Sequence, residues 1–358
     1  MSSFAVPTSV LEHARQVTMA VERRIGVRCD AVELITGRAA LLGLDPPTRV
    51  SSGGASRLLA CQDGWAALTL SRAEDVEAVP ALLEVDDVDD RWAALSEEAR
   101  AAPAADFVAR ARLLDMPAAV LGEMMAAAPA ITQQGAKATT PLSDLLVADL
   151  SSMWAGPLCG RLLAAGGATV VKVETSTRPD GTRSGSREFF DWMNSGKLCY
   201  AGDFTDLLRA ADVVIEGSRP AAFARRDCAA EQVPGRPGRV WLRISGYGSQ
   251  YPDRVAFGDD AAVAGGLVND GPEFCGDAIA DPLTGLAATA TVLDALASGG
   301  GAIIDASMAG VAAAYAALPE SPITGCEPRR PSLHGHAHDL GGDNAAVDRL
   351  IESRLAAC

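Results

Sequence analysis

Two continuous apolar runs, LLVADL at 145–150 and ATVVKV at 168–173, flank a helical stretch at 155–165. This spacing constrains the fold more than any other feature of the chain. Strands apolar on both faces belong inside a sheet that is covered on both sides. Two of them joined by a helix within about thirty residues make a right-handed parallel crossover. The pattern returns with a helix over 205–211 and strands over 211–216, 239–244 and 302–305. The expected fold class is α/β, a doubly wound parallel sheet.

The chain ahead of this region has a different character. Helical periodicity covers 9–28 and 30–43. Strands at 56–61 and 65–70 flank a Gln-Asp-Gly turn, and helices are expected over 72–83, 89–102, 105–114 and 116–127. A smaller α+β domain is therefore expected over 1–128. PAITQQGAKATT makes 129–140 a linker, 141–318 is the large domain, and 319–358 is a Pro-rich connection ending in a helix at 344–356.

With 48% hydrophobic and 22% charged residues the chain is globular, and its net charge of −15 argues against a nucleic-acid partner. No basic start followed by an apolar core opens the chain, and the apolar runs carry charges or fall short of a membrane span. A cytoplasmic protein with no membrane partner is expected. Its eight scattered cysteines, without a CxxC pair, read as reduced thiols.

Several patterns are candidates for chemistry. In FCGDAIADPLTGLAATATVLDALA (274–297), Asp281 occupies an N-cap position and Pro282 the first helical position of an almost wholly apolar helix. A carboxylate so placed fits a cap, and it also fits a nucleophile held at the positive end of a helix dipole. The acidic turns holding Asp259, Asp260 and Asp277 fit either turn chemistry or acid–base work. RPDGTRSGSR (178–187), with Arg178, Arg183 and Arg187, fits a phosphate cradle or a solvated loop. A βαβ unit closing on Glu174 invites a dinucleotide, but SSMWAGPLCG has no tight glycine pair at the turn. His334, His336 and His338 alternate, yet their Pro- and Gly-rich setting marks a surface loop, and no metal site is expected.

Taken together, six motifs resemble class III CoA-transferases, the family of formyl-CoA transferase, carnitine CoA-transferase and α-methylacyl-CoA racemase. VADLSSMWAGPLCGRLLAAGGATVVKVE is similar to the opening of their large domain. Asn194 and Lys197 match N-x-x-K, VVIEGSRP (213–220) is like V-x-E-N-x-R-P, and RISGYG (243–248) is like S-x-x-G-[FY]-G. GDD (258–260) lies where the family has G-[YH]-D, and 279–296 resembles the segment carrying the catalytic aspartate, which aligns with Asp281.

The resemblance implies a Rossmann-like large domain and transfer of CoA from an acyl-CoA to a small carboxylic acid. In that chemistry Asp281 attacks the thioester, a mixed anhydride forms, and the released thiolate converts it to an aspartyl-CoA thioester. It also implies that Arg219 lies near the CoA nucleotide, with Trp154, Ala155, Gly156, Lys172 and Arg183 as further candidates. Coenzyme A is then a substrate, no tightly bound cofactor is expected, and the assembly is an interlocked homodimer. The chain departs from the family in three ways. QDGWAALTL (62–70), similar to the family's small-domain strand pair, precedes the large domain. No counterpart of the glycine loop over the aspartate is found. Asp259 stands where racemases have a catalytic histidine, leaving a 2-methylacyl-CoA racemase with Asp259 as second acid/base, or a non-catalytic CoA-binding subunit, as alternatives.

Overall fold

The computed structural model of the protein describes residues 2–217, 223 and 225–356. Its main sheet carries, in spatial order, Ala130–Gln133, Ala302–Ser307, Val240–Ser245, Val213–Glu216, Leu146–Leu150, Thr169–Val173 and Leu198–Tyr200. The pairings are parallel except the first, where Ala130–Gln133 runs antiparallel to Ala302–Ser307. Leu146–Leu150 aligns Leu146 with Thr169 on one side and Val147 with Val213 on the other. The chain leaves this strand in one direction and later returns on its far side. Their carboxyl ends therefore form a topological switch point, where open α/β sheets bind ligands. This is the expected Rossmann-like α/β architecture. Among the described residues, no helix is long and apolar enough to cross a membrane.

The Ala280–Ala297 helix lies in the main core, with Leu283, Leu286 and Val292 fully buried. It packs against the Ala155–Ala165 helix, and Gly285 permits the close approach: a Cβ there would stand 2.8 Å from Ala155 O.

Three expectations are corrected. Residues 116–127 do not form a helix; they contain the strand Ala118–Val120, paired antiparallel to Trp65–Thr69. Pro117 cannot continue a helical hydrogen-bond ladder, and Gly122 adopts a φ of 74°. The stretch 129–140 is not merely a linker, because Ala130–Gln133 is the edge strand of the main sheet. All four of its residues are exposed, so it carries no apolar alternation to read. Finally, the hydrophobic cores do not divide at 128. Val10, Leu11, Leu34 and Ile35 share a cluster with Leu283 and Val292, whereas a separate cluster runs from Leu59 to Ala118. Strand Phe4–Pro7 also pairs with Ile323–Cys326, so the first strand of the chain joins the segment that follows the large domain.

Candidate active site

Asp281 lies two residues deeper in its helix than its sequence neighbourhood indicates. The cap is Ile279, the helix starts at Ala280, and the Asp281 N–H already bonds Ala278 O at 2.9 Å. Ala278, at a φ of 43°, reverses the chain just before the helix. The Asp281 side chain is thus free of local capping and projects from the first turn, partly exposed. The donor that acts on it comes from a different helix: the backbone N–H of Ala155, first residue of Ala155–Ala165, favours its charged form. Two helix amino ends therefore converge on one carboxylate.

The turn that delivers Ala155 is built tightly. Met153 takes a positive φ of 73°, and its N–H bonds both oxygens of Asp180 at 3.3 and 3.2 Å. Gly156 has no side chain because a Cβ there would collide with Ser151. Trp154 is 2% exposed and packs edge-on to Phe189, ring centroids 5.5 Å apart. Trp154 and Gly156 thus shape the turn from within, and Ala155 is the member of the trio that reaches Asp281.

Opposite this turn stands Arg38, from the Ala31–Leu42 helix, which sequence reading passed over. Gly37 lets that helix close on Trp192, where a Cβ would come within 2.6 Å of the indole. Arg38 then extends over the Trp154 and Phe189 rings, 5.8 and 5.9 Å from their centroids, and bonds Asp277 Oδ1 at 2.5 Å. Its field reaches Asp259 and Asp281 as well. No motif marks Arg38, and its place depends on contacts about 240 positions away in the chain.

The acidic turns expected near Asp281 are brought to it. Asp259 accepts from Ser56 Oγ at 3.0 Å and from the Ala278 N–H at 3.1 Å, bracing the reversal before the helix. Asp260 faces away, accepting from Thr69 Oγ1 and the Phe257 N–H, both at 3.0 Å. Burial pushes the Asp281 pKa up to about 7; Arg38 and the Ala155 N–H oppose that rise, while Asp259 and Asp277 add to it. Burial likewise lifts Asp277 to about 6 against the pull of Arg38, and Asp260 to about 8. Asp259 is raised by burial as well, opposed by Ser56 and Arg38. The helix dipole does not keep Asp281 in the ordinary carboxylate range, because desolvation outweighs it.

Other expected site residues are engaged elsewhere. Lys172 is fully buried, donating to Ser151 O and to Asp180 Oδ2 at 2.7 Å, so it ties the turn to the following loop. Arg183 grips both oxygens of Glu174, stacks 4.2 Å from the Phe190 centroid and bonds His338 O. Arg219 lies outside the described residues. His336 pairs with Asp191 and His338 with Asp343 at 2.7 Å, which fastens the tail to the body. Burial pushes the Cys159 and Cys275 thiols up to about 12, so neither is a nucleophile.

The family model of CoA-transferase family III matches residues 142–335, over half of the chain. The chain is similar to succinyl-CoA–D-citramalate CoA-transferase of Chloroflexus aurantiacus, 28% identical over 216 residues, covering 52% of this chain and 54% of that protein. It is similar to succinate–glutarate CoA-transferase of Agrobacterium fabrum, 30% identical over 212 residues, covering 49% and 53%. Among solved structures, a CaiB/BaiF family protein from Brucella suis aligns at 26% identity with a TM-score of 0.45, covering 55% of this chain and 61% of that one. The chain spans about half the length of the curated relatives it matches. The matched region contains the βαβ opening, the Asn194–Lys197 motif and Asp281, and the chain belongs to CoA-transferase family III.

Proposed function

We propose that the chain transfers CoA from an acyl-CoA to a carboxylic acid, with Asp281 as the nucleophile. The observation that carries this reading is a carboxylate at a helix start that remains partly exposed, packed against Gly258 and favoured in its charged form by the Ala155 N–H and Arg38. An Asp281 oxygen attacks the thioester carbonyl carbon, the C–S bond breaks, and CoA leaves as the thiolate. The thiolate attacks the Asp281 carbonyl of the resulting anhydride and expels the donor acid as its carboxylate, leaving CoA on Asp281 as a thioester. An acceptor carboxylate repeats the sequence in reverse and restores Asp281. One negative charge passes along these steps and no proton is needed, so Asp281 must begin ionised. In this reading the Ala155 N–H stabilises the negative charge that builds on the Asp281 carbonyl when the thiolate attacks it.

Relatives named for succinate, glutarate and citramalate make four- and five-carbon dicarboxylic acids the first substrates to assay. The racemase reading requires Asp259 as a base, yet its oxygens are committed as acceptors to Ser56 and the Ala278 N–H. The test follows CoA exchange between acyl-CoAs and these acids by chromatography, alongside α-proton exchange in deuterated water. Transfer that Asp281→Asn abolishes supports the proposal. α-Proton exchange without transfer overturns it in favour of a racemase, and CoA binding with neither reaction favours a binding subunit. Sedimentation of the same samples tests the proposed homodimer.

A further inference from the structure

Resting on the reading of Asp281 as nucleophile, we infer that Arg38 is its positioning residue: the guanidinium clamped between Asp277 and two aromatic rings holds Asp281 in its ionised, attacking form. Three features of the packing carry this. The guanidinium is fixed on two sides, by its 2.5 Å bond to Asp277 Oδ1 and by the Trp154 and Phe189 ring faces. Gly53 leaves room for it, since a Cβ there would already come within 3.4 Å of Arg38 Nη2. Trp154 immediately precedes Ala155, so the ring under Arg38 belongs to the turn that donates to Asp281.

The surrounding charges leave this work to Arg38. Asp281 is faced by Asp259 from the Gly258–Ala264 helix, by Asp277 from the preceding turn and by Arg38 from the Ala31–Leu42 helix. The Ala155–Ala165 helix presents the Ala155 N–H, and Asp260 lies behind Asp259 against Thr69. Three carboxylates thus share one described guanidinium. Without it, ionising Asp281 beside its neighbours in a desolvated site is strongly disfavoured. Asp277 divides the effect of Arg38: it anchors the guanidinium, and its own charge opposes ionisation of Asp281.

Two variants with opposite expected signs test the inference. In Arg38→Met the acid limb of kcat/KM moves up by about one pH unit or more, so activity at pH 6.5 falls about tenfold and recovers towards wild type at pH 9. Arg38→Lys, which restores charge without the planar stack, returns part of the shift. In Asp277→Asn the limb moves down. Titration of Asp281 by carbon-13 carboxyl NMR in the free protein gives the same directions without relying on turnover. If wild type transfers no CoA, the functional reading fails while this titration still decides the role of Arg38. An equal loss at every pH, with Asp281 titrating unchanged in Arg38→Met, overturns the inference and leaves Arg38 a packing residue. If Arg38→Met does not fold, Arg38→Lys decides alone by the same titration: an Asp281 midpoint raised above wild type supports the role, and an unchanged one overturns it.

Discussion

Gly258 lies directly against Asp281: a Cβ at 258 would collide with Asp281 Oδ2 and with Ala278 O. Ala278 O is backbone and cannot yield, so the carboxylate would have to move. Gly258→Ala is expected to reduce CoA transfer at least tenfold and to cost about 1–3 kcal/mol of stability, the usual range for overpacking. Urea unfolding and steady-state rates on the same sample check both parts.

The pH dependence of turnover follows from the state of Asp281. Attack needs the carboxylate, and burial holds its pKa near 7. The rate should therefore rise from pH 6 to pH 8, with a midpoint close to 7. A midpoint near 4, the ordinary aspartate value, would show that Asp281 is not desolvated as described.

Stability should change in the opposite sense. A carboxyl whose folded pKa lies above its unfolded value binds its proton more tightly when folded. Stability is then lost as pH rises from the unfolded pKa to the folded one. Asp260 is fully buried, is raised to about 8, and leaves Oδ2 without a partner. Asp260→Asn mimics the neutral form, so its advantage over wild type should grow from pH 5 to pH 9. A gain of about 1 kcal/mol would raise Tm by roughly 2–4 °C at the alkaline end. Calorimetry across that range checks it.

The Asn194–Lys197 motif has a structural task. Lys197 is fully buried and donates to Asp149 Oδ2 at 2.8 Å, Pro157 O at 2.9 Å and Asn194 Oδ1 at 3.0 Å. Gly160 leaves space for this pair, since a Cβ there would stand 2.8 Å from Asp149 Oδ2. Pro157 belongs to the helix that points Ala155 at Asp281. Lys197→Met strands a buried carboxylate and should cost about 3–5 kcal/mol. Chemical denaturation measures this, and a loss below 1 kcal/mol would contradict the account.

The parallel sheet and the placement of Asp281 on a buried helix were legible because their signals are local. Apolar runs of strand length alternate with helices, and the ordered motifs around Asp281 single it out. The cap differs from expectation because Asp-Pro ordinarily opens a helix, whereas here the reversal at Ala278 begins the winding two residues early. Arg38 was not legible, since nothing around it in sequence distinguishes it from a surface arginine of a helix. Its role exists only once Gly37 closes on Trp192 and the Asp277 turn arrives from the far end of the chain. Lys172 and Arg183 looked available to a ligand, but neighbouring carboxylates had already claimed them.

The central claim is that Asp281 carries CoA covalently during transfer. The most direct measurement is mass spectrometry of the protein quenched with acid after mixing with succinyl-CoA, followed by peptide mapping. The account predicts a CoA mass increment on the peptide containing Asp281, absent from Asp281→Asn and removed when acceptor acid is added. CoA transfer at an undiminished rate by Asp281→Asn, or an adduct on another residue, would contradict it.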